Sequence, residues 1–219
     1  AIMPKLRKFY NDRVADIFRH TYRSPRSPYC SLQVPLHLFP SDWCVTDSAA
    51  ALGMHTGRLA ELADQKGILH TGGGIPFRVE PDPARPNVVF VSKWDNFPDR
   101  VLIPLPGTGS RLYLLFCGYT NAMQCGVTNA VLQLRYADGS AQRLPLIPPH
   151  NFRSLEKGPE TERPEDAFCY RGDPVHRLLI GRLGRAPDSP GVYAQVLGLS
   201  LAGRRLESLT LEAAANDMV

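Results

Sequence analysis

One stretch constrains the fold more than any other: Asn129 to Ile147, NAVLQLRYADGSAQRLPLI. Leu132, Leu134 and Tyr136 alternate with Gln133 and Arg135. This period of two puts one face of a strand on a core and the other in water. Asp138-Gly139 follows, a two-residue turn signal whose residues tolerate the positive φ of a type I′ turn. On the return strand Leu144 and Leu146 again share one side. The pattern predicts a β-hairpin, and around it an all-β core.

The rest of the second half agrees. Strand patterns recur at Val88–Ser92, Arg100–Leu105, Arg111–Gly118, Arg177–Leu183, Val192–Leu201 and Leu206–Glu212. Leu112 to Cys117 is continuously apolar, as a central strand covered on both faces would be. The short spacing and frequent turns, with 20 Pro and 18 Gly in 219 residues, predict an antiparallel β-sandwich of the jelly-roll kind over residues 76–219. Asn151–Asp166, with Pro159 and Pro164, reads as a surface excursion.

Residues 1–75 read differently. Leu6, Phe9, Tyr10, Val14, Ile17 and Phe18 recur at helical spacing and predict an amphipathic helix over Lys5–Tyr22, ended by Ser24-Pro25. The following segment SPRSPYCSLQVPLHLFPSDWC reads as an extended arm wrapped over another surface. A second helical stretch is expected around Ala49–Gln65, capped by Asp47 or Ser48 and stopped by Gly67.

Charge and composition exclude some classes. The formal charge is +4, spread along the chain with no lysine-rich block, which leaves little footprint for nucleic acid. No run of eighteen apolar residues indicates a membrane span. The apolar stretch of AIMPKLRKFY is too short for a signal peptide, and both ends suggest a piece of a larger polypeptide. Five cysteines, Cys30, Cys44, Cys117, Cys125 and Cys169, do not make a disulfide scaffold, although a Cys117–Cys125 pair is open.

Two tryptophan neighbourhoods stand out, Ser41-Asp42-Trp43-Cys44 and Lys93-Trp94-Asp95-Asn96-Phe97. An indole beside carboxylate, amide or ammonium groups suits a sugar, whose C–H face stacks on the ring while its hydroxyls meet the polar groups. The plainer alternative makes both tryptophans core residues and their neighbours turn caps. Asp42, Asp47, Asp95 and Asp99 are the carboxylates open to glycoside hydrolysis, which needs an acid paired with a base or nucleophile. Nothing in their spacing selects a pair. The six histidines show no metal-ligand spacing, no nucleophile elbow occurs, and Gly72–Gly74 matches no phosphate loop. No cofactor is called for, although a jelly-roll can hold a structural Ca²⁺ through carbonyls and a carboxylate. Arg171-Gly172-Asp173 is explained by a tight turn before Pro174.

Several stretches together carry a resemblance: FYNDRVADIF, YRSPRSPYCSLQVP, DWC, GIPF, VSKWDNFPDRVLIPLPG, YLLFCGYTNAMQ, LRYADGSAQRLPL, PPHNF and LESLTLEAAANDMV. The chain resembles the C-terminal part of large bacterial proteins that carry a domain of unknown function and occur in polysaccharide-degrading gene neighbourhoods. The resemblance implies a galactose-binding-like β-sandwich beside a catalytic region similar to glycoside hydrolases with a helical toroid. It also implies a periplasmic or extracellular location, where the cysteines alone decide nothing. Arg26, Trp43, Trp94, Asp95 and Asn96 are the candidate contacts it carries over. Ser48–Gly67 departs from it in being richer in alanine and leucine.

Three roles follow as expectations. The first is a non-catalytic module that binds glycan or supports a catalytic domain. The second is a contributor of residues to a glycosidase or lyase site. The third is a structural partner whose Ser24–Pro40 arm lies on another subunit.

Overall fold

The computed structural model describes residues 3–19, 54–55, 61–71, 74–82, 84–93, 97–118, 126–148, 150–151, 177–183 and 191–214. These residues are mainly β. The strands are β1 (Met54–His55), β2 (Ile68–His70), β3 (Pro76–Arg78), β4 (Arg100–Thr108), β5 (Arg111–Phe116), β6 (Ala130–Tyr136), β7 (Ala141–Leu146), β8 (Arg177–Leu183), β9 (Gly191–Ser200) and β10 (Arg205–Ala213). They form one sheet in the order β1-β8-β9-β5, a second in the order β4-β10-β6-β7, and a small β2-β3 hairpin. Every ladder is antiparallel.

The expected hairpin is β6–β7, with Leu132 opposite Leu144 and Ala130 opposite Leu146. Its turn corrects the expectation. A two-residue turn at Asp138-Gly139 would place Leu134 opposite Arg143 and put the apolar sides of the two strands out of phase. The chain instead uses a three-residue loop, Ala137-Asp138-Gly139. Tyr136 pairs with Ser140, and the Gly139 N–H donates to the Tyr136 carbonyl at 3.0 Å. Only Gly139 in this loop has positive φ, 83°, as in a type I turn closed by a glycine bulge. Asp138 accepts from the Ser140 hydroxyl and amide, and these bonds, the hydroxyl first, hold its carboxyl below the usual range. Gly139→Ala is expected to cost about 1–2 kcal/mol in chemical denaturation, for strain alone, since a Cβ there would meet nothing within 4 Å. Gly107→Ala, on β4 with equally open surroundings, should be close to neutral.

β10 solves a second phase problem. Leu206 and Leu209 are an odd number of residues apart, yet both are buried, at 3% and 5% exposure. The register shifts between Leu206 and Ser208, which makes Glu207 an extra residue against β6. Such a bulge turns Leu206 to the same face as Leu209, Leu211 and Ala213.

That face joins one hydrophobic core drawn from both large sheets. Leu132, Leu134, Tyr136 and Leu209 come from one, Leu197 and Leu199 from the other. Each buried leucine contributes roughly 1.5–3 kcal/mol by leaving water. Between β4 and β10 the chain passes from sheet to sheet at β4–β5, β5–β6, β7–β8 and β9–β10, and two of these passages are tight corners. Gly109-Ser110 joins β4 to β5. Leu201–Arg204 joins β9 to β10, with Ala202 and Gly203 at φ 49° and 71°, the pattern of a type I′ turn. The Leu201 N–H donates to the Ser110 carbonyl at 2.9 Å and ties the corners together.

Among the described residues β5 departs from expectation: its apolar run ends a sheet, with β9 as its neighbour. It is apolar on both faces because one lines the core and the other faces a cavity described below. Cys117, the residue after β5, carries a free thiol, so the Cys117–Cys125 pairing is not made.

The predicted N-terminal helix is also corrected. Residues 3–19 form two 3-10 turns, Arg7–Phe9 and Val14–Arg19, with extended backbone between them. That backbone is committed to residues 87–90. Asp12 bridges Val88, and its carbonyl accepts from Asn87 and Val88. The Asn11 amide mimics a strand neighbour. Its Nδ2 donates to the Phe90 carbonyl at 2.8 Å, and its Oδ1 accepts from the Phe90 N–H at 2.7 Å. A continuous helix would forfeit all of these bonds. Among the described residues Val88–Ser92 is accordingly an extended segment with bridges at Val88 and Ser92, outside the named strands of the two large sheets.

The second expected helix differs too. Met54–His55 is a strand paired with Leu183 and Arg182. Glu61 and Leu62 are helical, and Asp64 then accepts from the Lys66 and Ile68 amides at 2.8 and 2.9 Å. The parts of Ala49–Gln65 before residue 54 and from 56 to 60, the arm, and nearly all of Asn151–Asp166 lie outside the described residues.

Candidate functional site

β4 and β5 are consecutive in sequence, and among the described residues each ends its own sheet. A cavity of about 450 Å³ lies beside them. Ile103 and Leu105 of β4 border it, as does all of β5. Leu6, Tyr10 and Val14 from the N-terminal turns and Phe77 of β3 border it as well. The Asn87 side chain holds this cover in place by accepting from the Val14 N–H at 2.9 Å. The volume falls within the range of ~300–1,000 Å³ typical of ligand pockets, and the lining is mostly apolar with a few polar groups, as such pockets are.

The polar groups at the cavity are poorly suited to proton transfer or nucleophilic attack. The Tyr10 hydroxyl is raised above its ordinary value by burial, then by the nearby Glu80 carboxylate, with Arg78 partly opposing. Burial pushes the Cys117 thiol up to about 11. Both are therefore protonated at neutral pH, and a protonated thiol is a weak nucleophile. At pH 8 only roughly one Cys117 in a thousand would be thiolate. Modification of Cys117 by iodoacetamide, followed by peptide mass spectrometry, is expected to lag far behind that of an exposed cysteine at pH 8 and to accelerate steadily toward pH 10.

Every candidate carried over from the sequence, Arg26, Trp43, Trp94, Asp95 and Asn96, lies outside the described residues, as do Asp42 and Asp47. The remaining carboxylate, Asp99, stands just before β4. Its Oδ2 is 3.7 Å from Lys93 Nζ, and its carbonyl accepts from the Ala213 N–H at 2.8 Å. It thus sits in a half-exposed ion pair at a sheet end. Among the described residues no group of three or more His, Cys, Asp or Glu gathers as metal ligands, and no helix is long and apolar enough to cross a membrane.

The cavity itself was not visible in the sequence. Its lining runs from Met3 to Leu211, and no local pattern joins residues so far apart. The available signal was indirect: β5 is apolar on both sides. Compared with protein-family models, curated proteins and solved structures, the chain matches none.

Proposed function

We propose that this chain is a carbohydrate-associated β-sandwich module of a bacterial glycan-degrading protein, which binds glycan or supports a catalytic domain. The single observation that carries the architectural part is the core shared by β6, β9 and β10. The reading takes the two four-stranded sheets as facing halves of a jelly-roll. In support, the chain crosses between sheets at β4–β5 and β9–β10, and β10 returns to lie between β4 and β6, a Greek-key return. Sandwiches of this kind serve lectins and many unrelated proteins. The sugar part therefore rests on the tryptophan neighbourhoods and the resemblance, and it places the module in the periplasm or outside the cell.

The apolar lining of the cavity favours a particular division of labour. Sugar hydroxyls need donors and acceptors at every side, so glycan contacts belong elsewhere, at Trp43 or at Trp94, Asp95 and Asn96, with Arg26. Affinity electrophoresis through polysaccharide gels, preceded by a glycan array, tests the proposal. Retardation of the intact chain is expected, with at least a tenfold loss in Trp43→Ala or Trp94→Ala variants of unchanged circular dichroism. An intact chain that engages no glycan, or indole variants that bind as well as the parent, would overturn the sugar reading.

A further inference from the structure

We draw no further inference here: the strongest candidate, the apolar cavity of about 450 Å³ beside β5 and the N-terminal turns, carries nothing beyond the site already described, because nothing among the described residues shows what covers the apolar edge of β5.

Discussion

Tyr136→Ala is expected to lower stability by about 3–5 kcal/mol, measured as the shift of a urea-denaturation midpoint at unchanged slope. Tyr136 is wholly buried at the end of β6, and its ring belongs to the shared core. Two interactions are lost with it. The Arg204 guanidinium lies 3.7 Å from the ring centroid. The Tyr136 hydroxyl donates to Gln142 Oε1 at 2.8 Å. Arg204 also donates to that Oε1 and to the Ser140 hydroxyl, at 3.4 and 3.2 Å. The ring and its partners thus fasten β6, β7 and the β9–β10 corner at one end of the core. Tyr136→Phe keeps the ring and the cation contact, and should cost only about 1–2 kcal/mol for the Gln142 oxygen that loses a donor. A Tyr136→Ala, Arg204→Ala cycle should be non-additive by roughly 0.5–2 kcal/mol, because a cation over an aromatic face is a pairwise term.

Asn11→Ala should cost about 1–3 kcal/mol and release the N-terminal turns to protease before the rest of the chain unfolds. The Phe90 N–H and C=O both take their partner from this one amide, and Phe90 is 2% exposed. The ring of Phe90 in turn stacks edge-on against Phe97 at 4.5 Å, so loosening the segment disturbs a packed aromatic pair. The penalty stays below that of two fully buried groups because Asn11 itself is exposed. Asn11→Asp keeps an acceptor for the Phe90 amide but sets a carboxylate against the Phe90 carbonyl. It should therefore be no better tolerated than alanine. Limited proteolysis with N-terminal sequencing reads both outcomes, and cleavage of the variants at the parent rate would argue that the bridge from Asp12 to Val88 suffices alone.

Much of the sheet structure was legible because strand periodicity is local. β8 spans the predicted Arg177–Leu183, and β4, β5, β9 and β10 lie within a few residues of their expected limits. The three-residue loop was legible in principle, since the phase of Leu132, Leu134 and Tyr136 against Leu144 and Leu146 admits no two-residue turn. The attraction of Asp-Gly as a turn signal hid it. The odd spacing of Leu206 and Leu209 likewise carried the bulge. The N-terminal helix misled for another reason: its apolar spacing is real, but Asn11 and Asp12 find partners more than seventy residues away, where single-sequence periodicity has no reach. Edge or centre was equally hidden for β5, because composition reports that both faces are covered and not what covers them. Of the candidate sugar contacts, all lie outside the described residues, whereas the cavity is assembled from segments no spacing rule connects.

Methyl–methyl NOEs in a leucine-labelled sample test most directly whether the two large sheets share one core. Cross-peaks from Leu197 and Leu199 of one sheet to Leu132 and Leu209 of the other are expected. Leucines that show NOEs only to neighbours within their own sheet would contradict the shared core, and with it the sandwich on which the proposed function stands.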